Sequence, residues 1–428
     1  MRAWSDQITV AGGVAEFEAV VAQLEINAPR SLDLTNTGAD TPLTDAADLL
    51  ATSGTHKQLL DLDADLAAAD VSLSLRLTTK LALSKQAILA LSGPGFVSVI
   101  FAVYQEHDRI LTSSEHPHGE DFLRRKLAQL EWLFNERPDV GWEIIVVDDG
   151  CPNGSGQIAQ KILDSNRLGA NARVLYLDQA IANSLSVAGG LTSTADSRKG
   201  GSILYGMWEA VQTTHDGHVV IFTDADLSTH LGQCGLLLER LVDGVGCAAA
   251  SRREPTSAVV KAGGRNDRGK LFIYLWKQML APLSDLVDTQ CGFKAFTDST
   301  VSKIVLDNDE KQFAFDIELL LRTELANPGG IARVPVAWID SEAASTTTDL
   351  QPYLPMLKSI SEMYRRYLPQ NVTPNGFASF IDRLDQDGWE RLLTAIPVGI
   401  TSREPTEFST FHGVSPSELA AAANTSPF

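Results

Sequence analysis

The sequence is poor in cysteine, in basic charge and in long apolar runs. Its 428 residues include four cysteines, Cys151, Cys234, Cys247 and Cys291, with no CxxC spacing. That excludes a disulfide scaffold and a thiolate zinc site, and scattered thiols point to a reducing compartment, the cytoplasm. Lysine and arginine number 35 against 54 aspartates and glutamates, a net charge of −19. Such a balance excludes nucleic acid as a partner and any broad attraction to an anionic membrane. The apolar run Gly95–Val103 falls well short of the roughly 20 residues that span a bilayer. The opening MRAWSDQITVAGG lacks the apolar core of a signal peptide. At most weak membrane association is expected.

What is present is apolar bulk, 44% of the chain, enough for two or three domains. Residues 1–94 carry no readable motif and form an N-terminal accessory region. Within it, 15–24 has helical spacing, 71–77 alternates strictly and predicts a half-buried strand, and 84–91 is mixed. No strand-end carboxylate or glycine-rich basic stretch lies there, so donor binding is expected to need only the chain from Phe96 onward. Composition shifts at Ser92-Gly-Pro-Gly95. Thereafter apolar strands alternate with helical patterns over 95–345, which implies an α/β domain with a mostly parallel sheet. Residues 346–428 read as helices: 353–367, one within 378–395, and 416–423 behind Ser415 as N-cap with Pro at the first helical position.

The organising stretch is 219–228, VVIFTDADLS. A continuous apolar run suits a strand buried on both faces, and ligands in such sheets bind at the carboxyl ends of the strands. Asp224 and Asp226 follow at that end and can both reach Mg²⁺ or Mn²⁺. The stretch 148–156, DDGCPNGSG, closes another strand, where Asp148 and Asp149 can take hydrogen bonds from a base imide and a ribose. Tyr104-Gln105-Glu106 closes a third and offers Glu106 at the same edge. Arg198 and Lys199 precede two glycines at a helix start, a pattern that lets donors approach a diphosphate. Arg252 follows a small-residue strand. Lys261, Arg265, Arg268 and Lys270 form a second basic group for phosphate oxygens. Asp288 and Asp316 lie among apolar and glycine residues, and Trp276, Phe293, Phe296 and Phe313 suit a sugar or lipid pocket as well as a core.

Seven stretches in this order resemble the family 2 glycosyltransferases with the GT-A fold: VVDDG at 146–150, RKGGSILYGM at 198–207, DAD at 224–226, SR at 251–252, DTQCGFKAF at 288–296, FDIELL at 315–320 and VPVAW at 334–338. Within that family they look most like dolichyl-phosphate glucosyltransferases and related polyprenyl-phosphate sugar transferases. The resemblance implies an enzyme that moves a sugar from a nucleotide-sugar donor, UDP-glucose-like, to a phosphate or hydroxyl acceptor such as polyprenyl phosphate. It implies that Glu106 and Asp149 contact the nucleoside, and that Lys199 faces the diphosphate. Asp224 and Asp226 would serve ribose and metal, with Asp226 first as direct ligand. Arg252 and Arg268 would grip phosphates. A hydroxyl acceptor would need a base, for which Asp288 and then Asp316 are the candidates. The helix 353–367, with Met356, Leu357, Ile360 and Met363 among Lys358, Arg365 and Arg366, is the candidate contact for a lipid surface. The chain departs from the family in reading DDGCP for VDDGS, SRKGG for NKGKGG, and Ser228 where some relatives place a metal-ligating Gln. Two other functions stay open: a sugar-phosphate nucleotidyltransferase, against which AVYQEHDRI after the first strand counts, and a non-catalytic nucleotide-sugar binder.

Overall fold

The computed structural model describes residues 14–69, 71–93, 95–241, 244–260, 266–340 and 352–424. Nine strands occur among them: β1 (Gly95–Val103), β2 (Val140–Asp148), β3 (Ala172–Tyr176), β4 (His218–Thr223), β5 (Cys247–Ser251), β6 (Ala258–Val260), β7 (Phe293–Thr297), β8 (Ile331–Pro335) and β9 (Ala337–Ile339). Seven form one sheet in the order β3-β2-β1-β4-β7-β5-β8. Only β7 runs antiparallel to its neighbours, and β6 pairs with β9 in a small separate sheet. This is the expected mostly parallel α/β sheet.

Alternation along each strand assigns side chains to two faces. On one face Val99, Phe101, Ile144, Val146 and Ile221 join a core with the helices Val14–Asn27, Asp40–Ser53, Leu73–Ala90, Phe122–Phe134 and Ser155–Ser165. On the other Ile100, Ile145, Val147, Val220 and Phe222 join a core with the helices Gly200–Ala210, Asn266–Met279, Phe315–Ala326, Tyr353–Tyr367 and Val372–Arg383. Both faces are covered, which is why the strands read as unbroken apolar runs. Each outer layer thus combines helices from one end of the chain with helices that lie between strands.

Three expectations are corrected. The predicted strand at 71–77 and the mixed stretch 84–91 belong to one helix, Leu73–Ala90, capped by Ser72, whose hydroxyl accepts from the Leu75 amide. It is buried around most of its circumference, from Ser74, Leu75 and Leu77 through Lys80 and Ser84 to Ile88. A helix without a solvent face shows no 3.6-residue polar stripe, so its alternation carried no strand information. Second, 378–395 spans two helices, Val372–Arg383 and Gln386–Thr394, divided by Asp385, which caps the second through the Gly388 amide. Third, the helix Tyr353–Tyr367 turns Met356, Leu357, Ile360 and Met363 into the core, while Arg365 pairs with Asp382 and Arg366 with Asp309. Its apolar side chains are spent on packing and are not available to a lipid surface. No helix among the described residues is long and apolar enough to cross a membrane.

Candidate active site

The chain runs outward from β1 to β2 and β3, then returns to place β4 on the other side of β1. Such a reversal opens a gap at the carboxyl ends of the two central strands. Three sequence-predicted acidic segments meet there: Glu106 after β1, Asp148 and Asp149 at the end of β2, and Asp224 and Asp226 after β4. Register sets this edge, since Val103 of β1 lies opposite Asp148 of β2.

Lys199 ties two of these segments together. Its backbone amide donates to Asp149 Oδ2 at 2.9 Å, and its ammonium donates to Asp224 Oδ1. Its φ is +83°, a conformation that costs a non-glycine residue about 1–3 kcal/mol and persists only where the surroundings impose it. Burial opposes ionisation of Asp224, but the Lys199 cation outweighs it and holds the carboxyl below its usual value. Asp149 also accepts from the Ser202 hydroxyl at 2.7 Å, and its burial pushes it up. Asp226 Oδ1 accepts from the amide and hydroxyl of Ser228, at 3.0 and 2.5 Å.

Glu106 is held by Arg109 at 3.0 Å, and Arg109 spends its remaining fork on Glu120 at 2.9 and 3.0 Å. Burial pushes Glu106 up to about 7, against the pull of Arg109 and with a further push from Asp226. Asp148 accepts from the Cys151 and Gly156 amides at 2.8 and 2.7 Å, so it closes its own βα turn. Asp149 has both oxygens bonded as well, so these bonds do not separate the two carboxylates as candidates for the nucleoside. The two glycines after Lys199 have a structural reason too. A Cβ on Gly200 would lie 2.6 Å from the carbonyl oxygens of Lys311 and Gln312, and the Gly201 amide donates to the former at 2.9 Å. Arg198 is exposed and its amide donates to the same carbonyl.

The donor set suits a hard cation. Among the described residues the hydrogen bonds to Asp224 and Asp226 end on Oδ1 of each. No group of three or more His, Cys, Asp or Glu is placed to hold a metal among the described residues. Two carboxylates fit Mg²⁺ or Mn²⁺ where phosphate oxygens and water complete the shell.

No family model matches the chain. Curated relatives do. The dolichyl-phosphate beta-glucosyltransferase of Drosophila melanogaster is 28% identical over 283 residues, 64% of this chain and 75% of that protein. Its namesake in Homo sapiens is 24% identical over 282 residues, 64% and 76% of the two chains. Glycosyltransferase AglD of Haloferax volcanii is 28% identical over 244 residues, 56% of this chain and 33% of its own length. The chain is a glycosyltransferase. It resembles the family 2 polyprenyl-phosphate sugar transferases with the GT-A fold. Solved mannosyl-3-phosphoglycerate synthase from Rubrobacter xylanophilus overlays 68% of this chain and 81% of its own at 17% identity with a TM-score of 0.40.

The remaining predicted residues of the glycosyltransferase lie on the far side of β4. Asp288 takes three donors from Arg252: the amide and Nε to Oδ2, and Nη2 to Oδ1, each at 2.8 Å. Burial would raise Asp288, yet Arg252 holds it well below the usual carboxylate range. The Arg252 guanidinium also lies 5.1 Å from the Trp338 ring. Asp316 accepts from Gln290 at 2.5 Å and from the buried Lys294 at 3.2 Å, and its burial pushes it up. Arg268 is exposed at the start of the helix Asn266–Met279. Lys261 and Arg265 lie outside the described residues. Trp276, Phe293 and Phe296 are core, while Phe313 is 40% exposed.

Sequence reasoning missed two features. Gly292 backs Asp224 so closely that a Cβ there would sit 2.4 Å from its Oδ2. Lys126 is fully buried 5.7 Å from the Phe101 ring, and its ammonium has no hydrogen-bond partner among the described residues. Burial pushes it down to about 8, although Asp226 and Asp224 pull it back up. The signal was legible: the spacing that turns Phe122 and Leu130 inward turns Lys126 inward too.

Proposed function

We propose that this glycosyltransferase transfers a hexose, with inversion, from a nucleoside diphosphate sugar of the UDP-glucose kind to an acceptor phosphate, in a reaction that depends on Mg²⁺ or Mn²⁺. One observation carries the reading: Asp224 and Asp226 stand at the carboxyl end of β4, at the strand-order reversal, with the Lys199 cation against Asp224. Asp224 and Asp226 would hold the metal. When bound, it supplies positive charge to the leaving diphosphate. Lys199 adds a second cation, and Glu106 and Asp149 face the nucleoside. Arg198, Arg252 and Arg268 serve phosphate oxygens of donor or acceptor. The acceptor oxygen forms a bond to the sugar C1 as the C1–O bond to the diphosphate breaks. The nucleoside diphosphate leaves with the electron pair, and stabilising that charge is the main electrostatic demand.

The state of the two candidate bases favours a phosphate acceptor over a hydroxyl. Asp288 is saturated by Arg252, and Asp316 is sealed against Lys294 and Gln290. A phosphate monoester is already an anion at neutral pH and needs no base. Polyprenyl phosphate is the acceptor that the relatives' names suggest. Calorimetry with UDP and with GDP, each with and without Mn²⁺, tests the donor half. Binding of UDP that strengthens with Mn²⁺ is expected, whereas equal heats with and without metal count against Asp224 and Asp226 as its ligands. Turnover of UDP-glucose with a short-chain prenyl phosphate tests the acceptor.

A further inference from the structure

The turn between β5 and β6 carries Arg252, and its own bonds are few. The Ser257 hydroxyl donates to the Ser251 carbonyl at 2.7 Å, the Ser257 amide to the Glu254 carbonyl at 3.0 Å, and the Arg253 amide to the Ser251 hydroxyl at 3.2 Å. Two cations from the helix Leu73–Ala90 fasten it from outside. Arg76 Nη2 donates to the carbonyls of Thr256 and Ser257 at 3.3 and 3.0 Å. Lys80 donates to the Thr256 hydroxyl at 3.1 Å and to Asp63 Oδ2 at 2.6 Å, the latter pair being almost wholly buried. The same helix is keyed to the segment that follows Asp226. The Ser84 hydroxyl accepts from the Gly235 amide at 2.8 Å, and a Cβ on Gly235 would meet the Ser84 carbonyl at 2.2 Å. Leu81 of the same helix approaches Gly232, where a Cβ would come within 2.8 Å of its side chain. One rigid helix therefore touches the chain on both sides of the site.

We propose that Arg76 and Lys80 are positioning residues: they hold the 251–257 turn, and with it the Arg252 guanidinium, at a set distance from the Asp224–Asp226 loop. The N-terminal helices then belong to the substrate site, although no residue of theirs touches substrate. This rests on the reading of Arg252 as a phosphate-binding group. Charged donors on two successive carbonyls add to the three neutral bonds inside the turn and are individually the stronger kind. Placement errors of this kind weaken binding at a site without moving its groups elsewhere.

The test uses the full chain as wild type, Arg76→Gln, Arg76→Lys, Thr256→Val and Arg252→Ala. Amide hydrogen exchange over 251–257 and calorimetric affinity for UDP with Mn²⁺ are read on each. Thr256→Val removes the Lys80 contact from the turn side and leaves the buried helix intact, so a folding failure of the Arg76 variants does not blunt the test. Faster exchange in 251–257 with unchanged exchange in β4, and UDP affinity lower by roughly ten-fold, is the expected result for Arg76→Gln. Thr256→Val should show the same at smaller size, and Arg76→Lys should recover part of the loss. Wild-type exchange in the turn, or faster exchange with wild-type UDP affinity, in both Arg76→Gln and Thr256→Val overturns the proposal. If Arg252→Ala itself binds UDP as wild type does, the role of Arg252 at the donor phosphates fails first, and with it the positioning role toward the donor.

Discussion

Two pairs of carboxylates in this protein meet cations in different ways. After β4, Asp224 and its partner Lys199 keep side-chain exposures of 29% and 34%, and among the described residues Asp226 is bonded only locally, to Ser228. Around β7, Asp288 is 4% exposed beneath Arg252, and Asp316 is 7% exposed beside a Lys294 with none. A carboxylate facing water with one cation can exchange that partner for a metal or a phosphate-bound ion. A carboxylate sealed against a fixed cation cannot do so without leaving a buried charge uncompensated, which is costly. The first pair therefore has the character of a working site and the second that of a frame that fixes Arg252 and the start of the helix Phe315–Ala326. Both pairs lie in motifs of equal prominence in the sequence.

The largest expected effect breaks the frame. Asp288→Ala leaves Arg252 buried without its carboxylate and should lower stability by about 3–5 kcal/mol, read as a fall in denaturant midpoint. A change below about 1 kcal/mol would place Asp288 with the working pair instead. Next in size, Asp226→Ala should cut sugar transfer by roughly 10²–10³-fold while the unfolding midpoint moves little, because the residue closes only a local turn. Loss of folding there would reverse the comparison. A smaller effect is expected from Gly292→Ala, whose Cβ must displace the Asp224 carboxylate or its own strand. Overpacking of that kind costs about 1–3 kcal/mol. Mn²⁺-dependent UDP binding should weaken in this variant before stability does, and intact binding would show that Asp224 has room to move.

The smallest effect is a pH dependence. Glu106 goes from 4.5 unfolded to about 7 folded, so between those values the folded chain keeps a proton that the unfolded chain gives up. Stability from this group is then complete below pH 4.5 and is lost as pH rises through about 7. With partial hydration taken into account, about 1–2 kcal/mol is expected over that window. Glu106→Gln should flatten that part of the stability curve, measured by urea unfolding without added metal. An unchanged slope would assign the titration to another group.

Most of the sheet was legible because its signals are local. The apolar runs at Gly95–Val103, Val140–Asp148 and His218–Thr223, each followed by carboxylates, place strands and strand ends without reference to anything distant. The helix Leu73–Ala90 was not legible, since a helix buried on nearly all sides has no polar face to give it a period. Its cations were invisible for another reason. Arg76 meets carbonyls 180 and 181 residues further along the chain. Asp148 resembled Asp149 in sequence, and only the fold gave them different partners, the turn amides of Cys151 and Gly156 for the first and the Lys199 amide and Ser202 hydroxyl for the second.

The sequence by itself determined the α/β alternation, the acidic edge at the ends of β1, β2 and β4, and the likeness to a glycosyltransferase family, because strand periodicity and motif order are properties of neighbours along the chain. Only the tertiary structure decided which of those acids face an exchangeable cation and which are locked to a buried one. It also decided that the unmotifed N-terminal helices reach the turn bearing Arg252. Pairing depends on what the fold brings together, 25 residues apart for Lys199 and Asp224 and 36 for Arg252 and Asp288, and a carboxylate's chemistry is set by that company.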